Sequence, residues 1–142
     1  MMIDRQHLTV RSLGNVTPEQ HLARVARAIA ERREALFHGT RYARAILESG
    51  ELLFASIGDP VVAFTRCPNV AADWACLERE DDEGRGAIFV LDRRSLRSRF
   101  RLEPYHDPIW DRPGFVNDEA EERVWERDVP IGPHVIGLVS GP

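Results

Sequence analysis

Apolar positions between residues 17 and 34 recur with a helical period. Leu22, Val25, Ala26 and Ile29 share one face, and arginines at 24, 27, 32 and 33 fall elsewhere. Thr17-Pro18-Glu19-Gln20 supplies the start: a threonine N-cap, a proline in the first turn and Gln20 to complete a capping box. The pattern predicts one amphipathic helix ending near Glu34. Ala35-Leu36-Phe37 then runs into His38-Gly39-Thr40, which predicts a brief strand ending in a turn where glycine permits close backbone approach. Residues 41–49 carry Ala43, Ile46 and Leu47 in a short helix stopped by Gly50. Strands are predicted over 51–56 and 61–66, on either side of an Ile57-Gly58-Asp59-Pro60 turn. Pro68 opens another helix, with Val70, Ala71, Trp74 and Leu77 on one face.

The second half reads mostly as strand. The charged run Glu80-Asp81-Asp82-Glu83-Gly84-Arg85-Gly86 is a solvated loop, and Ala87 to Leu91 is apolar throughout, as a strand buried on both faces requires. Phe100 and Leu102 alternate with charged neighbours, which predicts a half-exposed strand. Residues 104–117 hold three prolines with Tyr105, His106, Trp110 and Gly114, and read as a long loop. Strand character returns from Glu122 to Trp125 and from His134 to Val139. Helices early and strands later, without regular βαβ units, predict an α+β fold. No repeat or linker divides the chain, so residues 1–142 form a single domain, with 1–34 as a helical lead-in.

Composition narrows the chemistry. The chain has 142 residues, enough for one domain that buries a core without disulfides or metal. All 19 basic residues are arginine, which sets aside Schiff-base lysines and the usual phosphate-loop lysine. A net charge of −4 gives no electrostatic case for tight duplex DNA or anionic membranes. Cys67 and Cys76 match neither a zinc pattern nor a redox pair, and are expected to be buried, inert thiols. The start, Met1-Met2-Ile3-Asp4-Arg5, lacks the apolar run of a signal peptide, and no stretch approaches the ~20 apolar residues of a membrane span. A cytoplasmic protein is expected, with no membrane partner. His, Asp and Glu are too scattered for a metal site, and no metal is expected.

Three segments carry candidate chemistry. Leu36-Phe37-His38-Gly39-Thr40 is followed by Ile46-Leu47-Glu48-Ser49-Gly50; Val62-Ala63-Phe64-Thr65-Arg66 comes next; Asp118-Glu119-Ala120-Glu121-Glu122-Arg123-Val124-Trp125 comes last. In that order they resemble the three motif regions of the ADP-ribosyltransferase superfamily: an "HGT" strand end before a helix ending in "SG", a central strand offering Tyr, Ser or Thr, and a late strand opened by a catalytic glutamate. The resemblance covers roughly residues 35–139. Among small members it looks closest to short phage and bacterial proteins of unassigned target, and it is similar in size and opening motif to drug-modifying and antitoxin-paired transferases.

The resemblance implies a split or two-sheet core with peripheral helices and NAD as co-substrate. ADP-ribose would pass to a protein, nucleic-acid or small-molecule acceptor that the sequence leaves open, in a toxin, phage effector or modifying enzyme, with an antitoxin or inhibitor as a further partner. His38, Gly39, Thr40, Tyr42, Thr65 and Arg66 would contact NAD. His38 and one of Glu121 and Glu122 would be catalytic. The "ExE" spacing selects Glu119 and Glu121, whereas Glu122 directly leads the strand and is placed first; neighbouring strand residues point to opposite faces, so only one of Glu121 and Glu122 enters the cleft. Thr65 stands where one class of the family has tyrosine.

The residue types suit this chemistry. Breaking the nicotinamide–ribose bond develops an oxocarbenium-like cation, which a carboxylate stabilises as in glycosidases. A histidine can hydrogen-bond a ribose hydroxyl without adding charge. Tyr42, Phe54 or Trp74 could wall the nicotinamide ring, and Arg66 or Arg41 could meet the diphosphate. Plainer roles stand beside these: a turn residue for His38, a cross-strand hydroxyl for Thr65, a solvated charge for Glu119 and core packing for Trp74. Two other functions are carried forward. One is a non-catalytic NAD-binding or inhibitory module of the same fold. The other is a small RNA-directed ribonuclease or 2′-phosphotransferase using His38 and His106, which the negative charge and the lack of a basic aromatic patch disfavour.

Overall fold

The computed structural model describes residues 7–9, 16–77, 86–106 and 120–140. Its main sheet has seven strands. In chain order these are β1 (His7–Thr9), β2 (Ala35–Thr40), β4 (Val61–Thr65), β5 (Ala87–Asp92), β6 (Glu103–Tyr105), β7 (Glu121–Trp125) and β9 (Val135–Ser140), arranged β1-β9-β5-β2-β4-β7-β6. All neighbours pair antiparallel except β1, which lies parallel to β9. A separate pair, β3 (Glu51–Leu52) with β8 (Val129–Pro130), and the helices α2 (Ala43–Ser49) and α4 (Arg93–Arg99) cover one face. Helices α1 (Pro18–Ala30) and α3 (Pro68–Ala75) cover the other. The domain is α+β. Among the described residues no helix is long and apolar enough to cross a membrane.

Two apolar layers follow from strand alternation. Leu36, Phe64, Phe89 and Val124 point to the side of α2 and α4, while Phe37, Ile88 and Val90 point to α1 and α3. Strand β5 is buried from Ala87 to Leu91, as its continuous apolar run predicts. A register slip between Val90 and Leu91 lets β9 place Ile136 and Val139 towards the helices and Val135 and Leu138 towards the opposite layer. Helix α1 has the predicted capping box, with Gln20 N–H donating to Thr17 Oγ1 at 3.2 Å and Thr17 N–H to Gln20 Oε1 at 3.1 Å. It ends at Ala30, short of Glu34, because the backbone turns at Glu31 with a φ of 54°.

The structure differs from the pattern in several places. Strand β2 runs through His38-Gly39-Thr40 without a turn there. Only Glu51 and Leu52 of the segment 51–56 form strand, and they pair with β8; Phe54 N–H donates to Asp128 Oδ1 at 3.1 Å and Ile131 N–H to Gly50 O at 3.0 Å, drawing this segment to residues 128–131. Residues 93–99, which carry no helical period, form α4. Its one buried side chain is Leu96, and its start is fixed by Asp92 Oδ1 accepting from Ser95 N–H at 3.1 Å. Strand follows only at β6, an edge position that tolerates Pro104. Residues 107–119, most of the predicted long loop, lie outside the described residues. Cys67 and Cys76 are half-buried, not buried, and burial with the nearby Glu19 pushes the Cys76 thiol up to about 11.

Helix α3 buries Pro68, Ala71, Ala72 and Ala75 rather than the larger Val70, Trp74 and Leu77. That small-residue stripe lets its backbone touch the sheet. A Cβ on Gly39 would stand 1.8 Å from the Ala71 carbonyl oxygen, and one on Gly86 1.9 Å from that of Ala75. Neither obstacle is a movable side-chain tip. Gly39→Ala and Gly86→Ala should each lower stability by about 1–3 kcal/mol, the usual range for overpacking, as a reduced urea midpoint. Unchanged midpoints would mean that α3 does not lie against these glycines.

Candidate functional site

The main sheet is joined unevenly. Strands β2 and β5 share six rungs and β4 and β7 share five, but β2 and β4 meet at one, Phe37 with Thr65. Side chains cross this seam. Arg93, which follows β5, places Nε 3.0 and 3.1 Å from the two oxygens of Glu122 on β7. His38 Nδ1 lies 2.8 Å from the Ala63 carbonyl oxygen on β4. Beyond His38 the end of β2 borders a cleft of about 430 Å3 with α2 and β3. This volume suits part of a dinucleotide.

A carbonyl only accepts, so His38 Nδ1 carries the proton and donates to Ala63. Burial lowers the imidazole pKa, outweighing the opposite effect of the Ala63 bond, so the ring is neutral at pH 7. Nε2 is therefore an acceptor, and it is the nitrogen left to a ligand in the cleft. Thr40 Oγ1 accepts from Tyr42 N–H at 2.9 Å and keeps its own proton to donate. Tyr42, Ser49 and Glu51 supply the rest of the polar lining, while Ile46, Leu52 and Leu53 give apolar wall.

Of the residues expected to contact NAD, His38, Thr40 and Tyr42 thus line one cleft. Gly39 lies between the first two, and its missing side chain is already required by α3. Thr65 is fully buried, and its hydroxyl accepts from Cys67 N–H at 3.0 Å, at the start of α3. Arg66 is largely exposed and holds Glu122 at 3.2 Å. Of the three candidate aromatic walls, Tyr42 alone is in the described lining of the cleft; Trp74 belongs to the helix on the opposite face, and Phe54 is not part of that lining.

The glutamates occupy opposite faces of β7. Glu122 pairs with Phe64, whose ring meets that of His38 edge-on at 6.0 Å, so His38, Phe64 and Glu122 form a row on one face. Glu122 is buried between Arg93 and Arg66, and Arg93 also reaches Glu34 at 3.5 Å. Glu121 on the other face is held by Arg123, which bonds Asp59 at 2.8 Å and stacks over Tyr105 at 3.5 Å. Neither is among the described residues that line the cleft. Glu119 lies outside the described residues. Glu51 is the acidic residue in the described lining of the cleft, and sequence reasoning passed over it as part of a strand. The usable signal was its place directly after the Ser49-Gly50 helix end.

His106 follows the edge strand β6, three strand spacings or roughly 14 Å from β2, so it and His38 do not converge on one phosphodiester. His134, which attracted no functional expectation, is buried, with Nδ1 2.7 Å from Ser95 Oγ and its ring against Phe100. Comparison with protein-family models, curated proteins and solved structures gives no match.

Burial lowers the pKa of both His38 and His134 from the ordinary 6.5. Their neutral forms are favoured by folding, so the unfolded chain binds more protons as pH drops below 6.5. The stability they contribute is complete above that value and is lost as pH falls through their folded pKa values. Urea midpoints should therefore fall between pH 7 and pH 5, and His38→Gln should flatten part of that fall. An identical slope in the variant would show that His38 is not held neutral.

Proposed function

We propose that this chain is an NAD-dependent mono-ADP-ribosyltransferase with the split-sheet core of that superfamily. The observation that carries the reading is His38: fixed across a parted sheet by its Nδ1–H, neutral, and able to offer Nε2 to a ribose hydroxyl in a cleft shared with Thr40 and Tyr42. The single rung between β2 and β4 supports the split-sheet core.

The chemistry follows from these groups. His38 and Thr40 bind ribose hydroxyls, and Tyr42 offers an aromatic face. As the nicotinamide–ribose bond breaks, its electron pair leaves with nicotinamide and the ribose becomes cationic. The acceptor's lone pair then closes on the same ribose carbon, and the acceptor's proton is released. Of the two glutamates on β7, Glu122 shares the face of His38 and is the one assigned to the cation; Arg66 and Arg93 hold its carboxylate. Substrate entry must then turn part of the Glu122 carboxylate from its arginines towards the ribose.

Charge on the ribose appears only as the bond breaks, so this carboxylate acts on kcat far more than on NAD affinity. Nicotinamide release from NAD should fall on the order of a hundredfold in Glu122→Gln, as for loss of other transition-state partners, while NAD still raises the variant's melting temperature. Removing one partner of a buried ion pair also lowers stability, so the rates are compared below the variant's melting transition. Glu121→Gln should release nicotinamide at close to the parent rate. Full turnover in Glu122→Gln would remove that residue from the chemistry. A parent protein that binds NAD and consumes none, with lysate acceptors present, would be a binding module.

A further inference from the structure

Residues 93–101 hold five arginines and no acid, in a chain whose net charge is −4. Arg93 turns inward to Glu122 and Glu34. Leu96 and Phe100 are buried as well, which leaves Arg94, Arg97, Arg99 and Arg101 exposed around them. Arg127, two residues past β7, joins this surface. Its guanidinium stands 4.9 Å over the Phe100 ring, and it lines a cavity of about 250 Å3 with Phe100, Arg101, Glu103, Val124 and Trp125. Arg99 belongs to the same surface: after burial, its charge is the next cause that lowers the pKa of His134, whose ring meets Phe100 edge-on. Arg94, Arg97, Arg99, Arg101 and Arg127 have no ion-pair partner among the described residues.

Local stability does not account for this arrangement. Arg97 and Arg99 suit the last turn of α4, but Arg94 lies in the first turn, where the helix dipole opposes a cation. Arg93 and Arg94 also stand four and three residues before Arg97, so like charges are neighbours on the helix surface. Acids stand nearby: Glu103 in the cavity lining, and Glu126 and Asp128 on either side of Arg127 in the chain. They are fewer than the exposed arginines, and the Asp128 carboxylate is taken up by the Phe54 N–H. Net charge conceals the patch, because Trp125 and Arg127 are distant in sequence from residues 93–101.

Unpaired guanidinium groups gathered on one surface suit a polyanion, since their planar fork matches phosphate. The surface favours a narrow one. A chain of net −4 repels a duplex laid broadly across it, whereas a single strand needs only the arginine strip. Single strands also present unpaired bases, and Trp125, 38% exposed, offers an aromatic face beside the arginines. We propose that this surface binds single-stranded nucleic acid, with phosphates on the exposed arginines and a base stacked on Trp125. The assignment does not rest on the NAD reading, because none of these residues is in the described lining of the cleft beside His38.

Fluorescence anisotropy across a salt series tests it, with a labelled single-stranded oligonucleotide of mixed sequence and with its duplex. The parent protein should bind the single strand more tightly than the duplex, and its affinity should fall as salt rises. Arg97→Gln, Arg101→Gln and Arg127→Gln combined should flatten the logarithmic salt dependence by about 0.7 per arginine. Trp125→Ala should weaken binding about fivefold or more and leave that slope unchanged. Arg24→Gln, Arg27→Gln and Arg32→Gln combined, all exposed in or just after α1, should also leave the slope unchanged. No binding at low salt, a duplex bound as tightly as the single strand, or equal effects of the two arginine sets overturns the proposal. Displacement of the oligonucleotide by an equal concentration of polyglutamate overturns it too, and assigns the surface to an acidic protein partner. The comparison of single strand with duplex is read on the parent protein and needs no variant to fold.

Discussion

The seam between β2 and β4 decides how this sheet is built. A seven-stranded sheet with full ladders throughout would leave no space beside His38, because adjacent strands lie only about 4.8 Å apart. Here the ladder closes at Phe37 and Thr65 and then stops. The halves are held instead by side chains: Arg93 to Glu122 near the start of β2, and His38 to the Ala63 carbonyl further along. Helix α3 reinforces the join, since its alanine stripe lies directly on Gly39 and Gly86. The cleft begins where these ties end. The bond to Ala63 thus sets both the position and the tautomer of His38, while burial keeps the ring neutral.

The same seam sets a tension in its charges. Glu122 is buried with two guanidinium groups facing its carboxylate, the kind of pairing that a buried acid requires. That clamp ties β7 to the β5 half of the molecule, and it also holds the carboxylate away from the cleft. In the proposed reaction Glu122 would have to give up part of this clamp when substrate enters. Arg66 is the weaker partner for that exchange: it is largely exposed, whereas the Arg93 side chain is mostly covered and is also bonded to Glu34. On the other face Glu121 has no such choice, being enclosed with Arg123, Tyr105 and Asp59.

The legible parts of the chain were those where local chemistry and burial agree. Thr17 to Gln20 announced α1, Gly50 the end of α2, and the apolar run at Ala87 the strand buried on both faces. Helix α4 was silent because one buried residue, Leu96, sets no period; its only signal was Asp92 as a cap. The stripe on α3 was misplaced for a related reason: large side chains dominate a pattern, whereas the fold needed small ones against two glycines. At the site, His38, Thr40 and Tyr42 were legible because they are close in sequence. The burial of Thr65 and the arginine clamp on Glu122 depend on strands distant in sequence, and no local pattern encodes them; Glu51, by contrast, follows directly on the Ser49-Gly50 helix end, a local signal that strand patterning overrode.

The central claim is that His38 is locked as a neutral Nδ1–H tautomer whose Nε2 receives the ligand. Long-range nitrogen–proton NMR correlation of 15N-histidine-labelled protein at pH 7.5 reads this directly. The account predicts a protonated Nδ1 and an unprotonated Nε2 for His38, with the Nε2 resonance shifting as NAD is added. A protonated Nε2, or an Nε2 signal that does not move at saturating NAD, would contradict it.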